Sequence, residues 1–275
     1  MFILQAYNGS RVRVIGSVVL EIRIKSQKIL VEFVITSNGF QPIDSANSKQ
    51  RASEKGDITI KYTDVFTGYG RFPKRYKSTL RKDASPVSNA SNRVPLNLKD
   101  KLEAELDRLC LLGVIPKIDE PTEWVSKLVM VSLRLCLDRN YLNKFINKKY
   151  YAIPNINDLK TAIGNAKYFS VLDLKESFWQ IGLSDESKHY CTFSIIYGGY
   201  CFNVLPFELK ILAEAFQEMC QSHFGDIRGL FSYVDDFLIF AQTKQENDAI
   251  LQKVLVRARD LNVKFNVTKF QYLPS

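Results

Sequence analysis

The chain has 275 residues, of which 46% are hydrophobic, and its formal net charge is +9 at pH 7. This length and apolar content can bury a core in one large or two modest domains, and no apolar run approaches the ~20 residues that a membrane span needs. The basic charge favours an anionic partner such as nucleic acid, while five cysteines without a CxxC pair and the lack of a signal-peptide pattern argue against a disulfide-stabilised secreted domain.

The first ninety residues change from a β-rich pattern to a polar one. Apolar and polar residues alternate between residues 11 and 35, which predicts two or three strands, and a glycine-serine step allows a bend or bulge after Ile15. Residues 44–57 are rich in Ser, Lys, Gln and Glu and indicate a linker. Residues 58–92 are basic and irregular, which fits either a solvated tether along the surface or a nucleic-acid contact.

The middle of the chain predicts one helix followed by strands. Four leucines between Leu98 and Leu112 fall on one helical face, Asn97 can cap the start of this helix, and Gly113 can end it. Residues 128–138 are mostly apolar and indicate strand.

The C-terminal half alternates between helical and strand patterns. Helices are predicted where apolar residues recur on one face, at 156–163, 208–224 and 245–261. Strands are predicted at 168–174, 190–196, 199–204 and 263–267.

Two adjacent carboxylates, Asp235 and Asp236, stand between short apolar runs that begin at Phe231 and end at Ala241. This pattern is typical of two strands joined by a tight turn, with both acids at the tip. One interpretation is a solvated turn, since Asp is a favoured turn residue. The other is a divalent-metal site, because adjacent anions repel unless a cation lies between them, and two ions roughly 4 Å apart serve phosphoryl transfer.

A third acid favours the metal interpretation. Asp173 stands near the end of the strand-like run 168–174, upstream of the hairpin. Hard oxygen ligands at strand ends suit Mg²⁺, which keeps much of its water and takes the rest from substrate phosphates. The three acids together indicate a metal site more specifically than either part does alone.

Several motifs occur in order and together resemble one family. The run Phe169–Lys175, the triplet Leu205-Pro206-Phe207 and the tetrad Tyr233–Asp236 resemble the palm motifs of a reverse transcriptase. The specific resemblance is to the Pol polyprotein of gypsy-type LTR retrotransposons, and it covers about residues 60–275. It also takes in residues 114–115, 121–125, 134–138 and 142–144.

The resemblance implies an α+β fold with polymerase-type fingers and palm, in which helices pack against an antiparallel palm sheet. It places fingers and palm at residues 95–275, lacking thumb, connection and ribonuclease H, after a basic linker at 44–94. The β-rich segment 1–43 resembles the C-terminal half of a retropepsin-like aspartic protease. Because the sequence contains no Asp-Thr-Gly or Asp-Ser-Gly tripeptide, protease activity is not expected.

The resemblance also implies roles for individual residues at the metal site. Asp173, Asp235 and Asp236 would be catalytic and would hold two Mg²⁺ ions, with Mn²⁺ as an alternative, and Leu174 would join them as a metal ligand. Tyr233 and Val234 would lie near the primer end.

A second group of residues would bind the deoxynucleoside triphosphate. Arg134 would grip the phosphates through its guanidinium, although a strand residue facing solvent is the plainer interpretation. Phe178 would exclude a ribose 2′-hydroxyl, although ordinary core packing also fits. The remaining members of this group are Lys175, Glu176, Ser177 and Phe207.

Several departures from the family pattern are visible. The turn between the two fingers strands lacks several residues, including its lysine, so that the strands are expected to run into each other, and whether Lys127 substitutes for the lysine is open. Glu208 replaces a glycine that would permit close backbone approach, and Arg139 replaces a proline. With the missing thumb, these changes predict a fragment or a degenerate copy.

The expected function is therefore the RNA-directed DNA polymerase domain of a retrotransposon polyprotein. Its partners would be an RNA or DNA template-primer and deoxynucleoside triphosphates, with other regions of the polyprotein as further candidates and no membrane. The expected location is intracellular, either cytoplasmic and particle-associated or nuclear. The alternative is a non-catalytic, nucleic-acid-binding remnant of the same polyprotein.

Overall fold

The fold is seen in a computed structural model, which describes residues 3–5, 11–24, 27–36, 45–89, 94, 98–120, 122–131, 134–207 and 209–273. Its helices are α1 (Ser45–Lys61), α2 (Thr63–Phe66), α3 (Lys99–Leu111), α4 (Arg139–Phe145), α5 (Ile156–Ile163), α6 (Asp185–Lys188), α7 (Leu212–Phe224) and α8 (Lys244–Asp260). Its strands are β1 (Ile3–Gln5), β2 (Arg11–Ile24), β3 (Gln27–Thr36), β4 (Lys117–Ile118), β5 (Leu128–Val131), β6 (Arg134–Leu137), β7 (Tyr168–Asp173), β8 (Thr192–Ile195), β9 (Gly198–Cys201), β10 (Leu230–Tyr233), β11 (Asp236–Ala241) and β12 (Gln271–Tyr272). Over these ranges, no helix combines the length and the apolar character that crossing a bilayer requires.

A four-stranded antiparallel sheet forms the centre of the fold. Its strand order is β10-β11-β7-β12, so the predicted hairpin β10-β11 lies beside the strand that ends in Asp173. One face of the sheet buries Leu172, Phe237 and Ile239 completely, and helices α7 and α8 pack against this sheet. The opposite face carries a smaller apolar cluster in which Leu238 packs with Leu159 of α5. The alternation of side chains along each strand explains both faces.

The N-terminal strands follow the sequence prediction. Strands β1, β2 and β3 form an antiparallel sheet, and the register of β2 against β3 shifts between Val14 and Gly16. The shift is a β-bulge at the predicted position, where one extra residue of one strand is left without a partner.

The segment that was expected to be a linker is instead helical over 45–66. Arg51 of α1 donates a hydrogen bond to the carbonyl of Leu273 (3.1 Å), and Lys244 donates one to Glu54 (2.7 Å). The chain that follows supplies core side chains rather than a solvated tether, as shown by the burial of Tyr62, Val65, Phe66 and Phe72. The composition of this segment did not predict the packing, because the residues that the segment contacts lie far away in the sequence. The domain boundaries at 43 and 94 stay predictions.

The fingers strands pair instead of running into each other. Strands β5 and β6 are antiparallel with Val131 opposite Arg134, so only two residues connect them. The preceding helix α3 is confirmed, since Leu102, Leu106 and Leu109 are buried and Gly113 follows with a left-handed φ of 65°. Its predicted cap, Asn97, lies outside the described residues.

Two predicted elements near the palm differ from the structure. The alternation at 263–267 does not form a strand, and only Phe265 makes a bridge, with Leu174. Val263 and Phe265 are buried because the chain passes over the sheet end there, and a turn follows. Helix α7 begins at Leu212, later than expected, and the backbone N–H of Lys210 just before it bonds the Asn143 side chain (2.8 Å).

Candidate active site

The acidic hairpin forms as predicted, with a two-residue turn. Tyr233 of β10 pairs with Asp236 of β11, which leaves Val234 and Asp235 as the two turn residues. Val234 has a φ of 47°. A left-handed first turn residue matches the right-handed twist of the flanking strands, but it is an unusual conformation for a β-branched side chain.

The upstream acid lies directly beside this turn. Asp173 is the register partner of Asp236 across β7 and β11, and opposite residues of an antiparallel pair have Cα atoms about 4.5–5.5 Å apart. The backbone N–H of Leu174 donates to the carbonyl of Asp235 (2.9 Å), which fastens the turn to the end of β7. The sheet therefore brings Asp173, Asp235 and Asp236 together at one edge, namely where the central strand β7 ends and the central strand β11 begins.

A lysine from the C-terminal turn also reaches this edge. Lys269 Nζ lies 2.7 Å from Asp173 Oδ2, and the side chains are 51% and 14% exposed respectively. The backbone N–H of Asn266 donates to the Asp173 carbonyl (2.7 Å), and Asn266 Oδ1 accepts from the N–H of Thr268 (3.1 Å). These bonds hold the turn against the sheet end, so that the ammonium group lies against the carboxylate.

Helix α7 also supports the hairpin, through contacts with its backbone. Gln217 and Cys220 contact the backbone around Val234. Burial and the neighbouring Asp235 carboxylate raise the pKa of the Cys220 thiol well above its usual value, so this side chain stays a neutral donor. Burial, with a smaller effect of Asp236, raises the pKa of Tyr233.

The ligand atoms at this edge are of a chemical type that binds divalent cations. Three carboxylates are the hard oxygen ligands that Mg²⁺ and Mn²⁺ accept. Within the part of the chain that the structure describes, however, no group of three His, Cys, Asp or Glu side chains stands at metal-binding spacing. One of the three candidate carboxylates, that of Asp173, bonds Lys269, so a cation that took this carboxylate would compete with the ammonium group.

This competition can be measured with Lys269→Met. We expect the variant to bind Mn²⁺ up to about fivefold more tightly, because a half-exposed ion pair contributes ~1 kcal/mol or less. Titration followed by electron paramagnetic resonance would report the affinity. Lys253→Met, which removes the same charge from an exposed position of α8, is the matched control, and an equal gain in both variants would contradict the prediction.

The residues expected to bind the nucleotide follow Asp173 directly. Lys175 is half-buried with its ammonium group 5.3 Å from the centre of the Tyr69 ring. Glu176 is exposed and left-handed, with a φ of 45°, and Ser177 is buried at the start of a short 3-10 helix. This tight turn follows the end of β7, and the role of its residues in nucleotide binding stays a prediction.

Phe178 and Phe207 belong to one aromatic group. Their rings are 5.5 Å apart and nearly perpendicular, and Phe178 also packs edge-on against Phe216 at 5.5 Å. Both Phe178 and Phe207 are half-buried, which fits core packing and leaves part of each side chain accessible. The selective role of Phe178 stays a prediction.

Two sequence predictions fall partly outside the described residues. The backbone of Arg134 lies in β6, but its side chain is not described, and Glu208 lies outside the described ranges. The role of Arg134 in phosphate binding and the effect of Glu208 therefore stay predictions.

Three residues that matter to this site were missed by sequence reasoning. They are Lys269, Gln217 and Gln180, which is 1% exposed and donates to the carbonyls of Lys175 (2.6 Å) and Lys264 (2.8 Å). Each glutamine interrupts an apolar run or helix face. A polar residue at a buried position was the only available signal, because buried polar groups require partners.

The site and the sheet together define a polymerase palm: an antiparallel sheet with one acid at the end of a central strand, one in the adjacent hairpin turn and one at the start of the strand that follows this turn. The comparison with protein families agrees, since the family described as "Reverse transcriptase (RNA-dependent DNA polymerase)" matches residues 115–275. The chain belongs to this family, whose members are nucleotidyltransferases that use divalent metal ions.

The curated relatives include polyproteins of transposable elements. The chain is 30% identical over 239 residues to the retrovirus-related Pol polyprotein from transposon 412 of Drosophila melanogaster, covering 80% of this chain and 19% of that protein. It is 27% identical over 209 residues to the corresponding polyprotein from transposon gypsy of the same organism, covering 71% and 20%. The chain thus spans about a fifth of these relatives, and the resemblance to gypsy-type Pol polyproteins is confirmed.

Solved structures confirm the fold of fingers and palm. The foamy viral protease-reverse transcriptase in complex with double-stranded DNA has a TM-score of 0.71 at 16% identity, covering 100% of this chain and 55% of that one. The same viral protein in complex with an RNA/DNA hybrid has a TM-score of 0.71 at 15% identity, covering 95% and 42%. At this identity the likeness concerns the fold alone, and the protease origin of residues 1–43 stays a prediction.

Proposed function

We propose that this chain is the catalytic part of an RNA-directed DNA polymerase of a retrotransposon polyprotein, which transfers a deoxynucleotide to a primer 3′-hydroxyl. The observation that carries the proposal is the pairing of Asp173 with Asp236 beside the Asp235 turn. In support of the proposal, the three carboxylates are the hard oxygen donors that metal-assisted phosphoryl transfer uses.

In the proposed reaction the primer O3′ forms a bond to the α-phosphorus, the bond between that phosphorus and the bridging oxygen breaks, and pyrophosphate leaves. Asp173 and Asp235 would hold the two Mg²⁺ ions, with Leu174 as a further ligand and Asp236 more peripheral. The chemistry supplied by bound ions is a lowered pKa of the 3′-hydroxyl and neutralisation of the triphosphate charge.

The chain's own residues would orient the substrates. The turn from Lys175 to Ser177 would lie against the phosphates, and Arg134 would add a bidentate guanidinium contact. The ring of Phe178, braced by Phe207, would stand against the sugar and exclude a 2′-hydroxyl. Tyr233 and Val234 would contact the primer end.

The nucleic-acid partner is proposed from charge and from the relatives. The net charge of +9 favours a polyanion, and the foamy viral structures are complexes with double-stranded DNA and with an RNA/DNA hybrid. We propose a template-primer duplex as the partner of this chain, bound with an affinity that falls as salt concentration rises.

Primer extension on an RNA template with Mg²⁺ tests the proposal. The 275-residue chain should extend the primer, and Asp235→Asn should reduce the rate by more than about 100-fold. Mutation of a residue that only hydrogen-bonds a metal ligand already lowers metal affinity or activity about 10–100-fold, and the loss of a ligand itself should cost more. Asp226→Asn, which alters a surface aspartate paired with Arg257, should leave the rate nearly unchanged. Equal rates for the chain and Asp235→Asn would refute catalysis.

The second candidate function is non-catalytic nucleic-acid binding. The contact between Lys269 and Asp173 favours it, since a cation of the protein already lies where a metal ion is needed. Under this alternative, template-primer binding would persist and show the same salt dependence in Asp235→Asn, with no extension by either protein.

A further inference from the structure

A glutamine of α7 uses both ends of its amide on the backbone of the acidic hairpin. Gln217 is 1% exposed. Its Nε2 donates to the carbonyl of Ser232 (2.9 Å), and its Oε1 accepts from the N–H of Val234 (2.8 Å). A buried carboxamide is costly unless it is bonded, so these bonds fix both the side chain and the strand end that it contacts.

The second of these bonds ends at a residue whose backbone conformation the local sequence does not favour. Val234, whose N–H makes this bond, directly precedes the acidic pair and has a φ of 47°. For a β-branched residue this left-handed region is sterically unfavourable, and such residues persist only where surrounding structure holds them.

The same helix and the neighbouring strand complete the support. Cys220, one turn along α7 from Gln217, lies with its Sγ 3.8 Å from the carbonyl oxygen of Val234. The N–H of Leu174 donates to the carbonyl of Asp235. The Val234 peptide groups are therefore contacted from α7, and the Asp235 carbonyl from β7, so the turn is held on two sides.

We infer that Gln217 is a positioning residue, which holds Val234 in the left-handed conformation and thereby places Asp235 beside Asp173 and Asp236. The inference deepens the proposed function and rests on it for the consequence in metal binding. Without the amide, Val234 would relax toward negative φ and the turn would carry Asp235 away from the other two acids.

The test must separate a general loss of stability from a displacement of Asp235, and the chain offers a matched control. Asn247 of α8 is also fully buried, with its Oδ1 accepting from Ser170 Oγ (2.8 Å) and its Nδ2 donating to the carbonyl of Tyr168 (3.2 Å). It fastens the same sheet through β7 but at the end away from the acids. Asn247→Met therefore removes a buried amide without touching the turn.

The first experiment compares Mn²⁺ affinity in Gln217→Met, Val234→Gly, the double variant and Asn247→Met, at a temperature where each is folded. Gln217→Met should weaken binding about tenfold, within the range seen for supporting residues of metal sites. The double variant should recover most of this loss, because glycine adopts positive φ without strain. Asn247→Met should stay within about twofold, since distant sites act independently.

The second experiment does not depend on metal binding. Amide exchange of peptides that span 231–241, followed by mass spectrometry, should be faster in Gln217→Met than in the unaltered chain and should slow again in the double variant. Unchanged exchange in Gln217→Met, or no recovery with glycine, would overturn the inference. If the unaltered chain bound no Mn²⁺ while exchange responded as expected, the metal-dependent function would fail and the positioning role would stand.

Discussion

Replacing Asp173 with asparagine is expected to abolish Mg²⁺-dependent primer extension while leaving the protein folded. Asp173 ends β7 opposite Asp236 and beside the Asp235 turn, and in the proposed function its carboxylate holds the metal ions. An amide offers a neutral oxygen in place of an anionic one, and we expect the rate to fall by more than about 100-fold.

Stability should change little in the same variant, because two effects oppose each other. The change removes the ion pair with Lys269, a half-exposed contact worth ~1 kcal/mol or less, and it also removes one of three neighbouring negative charges. Urea unfolding should therefore give a free energy of unfolding within about 1 kcal/mol of the unaltered chain. A variant that lost activity only because it was unfolded would contradict this account.

The hairpin was predictable because the residues that specify it are neighbours in the sequence. The alternation around Asp235 and Asp236 specifies two strands, and the acids at its centre specify a turn. The placement of Asp173 needed one further step, namely that its strand adjoins β11. That step came from the resemblance to a family rather than from periodicity.

The residues that support the site could not be predicted, because they and the groups that they contact are far apart in the sequence. Lys269 reaches Asp173 only because Asn266 fastens a turn to the end of β7, and the alternation around Phe265 suggested a strand instead. Helix α1 looked like a linker because its polar side chains find their partners, such as Lys244, nearly two hundred residues away. In both cases tertiary contacts outweighed the local pattern.

The second large effect is expected at Gly70, where the N-terminal segment crosses the palm. An added Cβ would lie 2.7 Å from the carbonyl oxygen of Asn262, 2.8 Å from the backbone nitrogen of Lys264 and 2.2 Å from Gln180 Oε1. Two of these atoms are backbone, and the third belongs to a buried amide that accepts from the N–H of Lys264 (2.9 Å). No neighbour can move without breaking a bond.

Gly70→Ala should therefore lower the free energy of unfolding by about 3 kcal/mol or more, combining overpacking with the loss of a buried hydrogen bond. Gly56→Ala is the matched control, because an added Cβ there meets nothing within 4 Å and the residue lies inside α1. That control should gain roughly 0.5–1 kcal/mol from helix propensity. Equal unfolding midpoints for the two alanine variants would show that residues 70–72 do not pack against the palm as tightly as their contacts indicate.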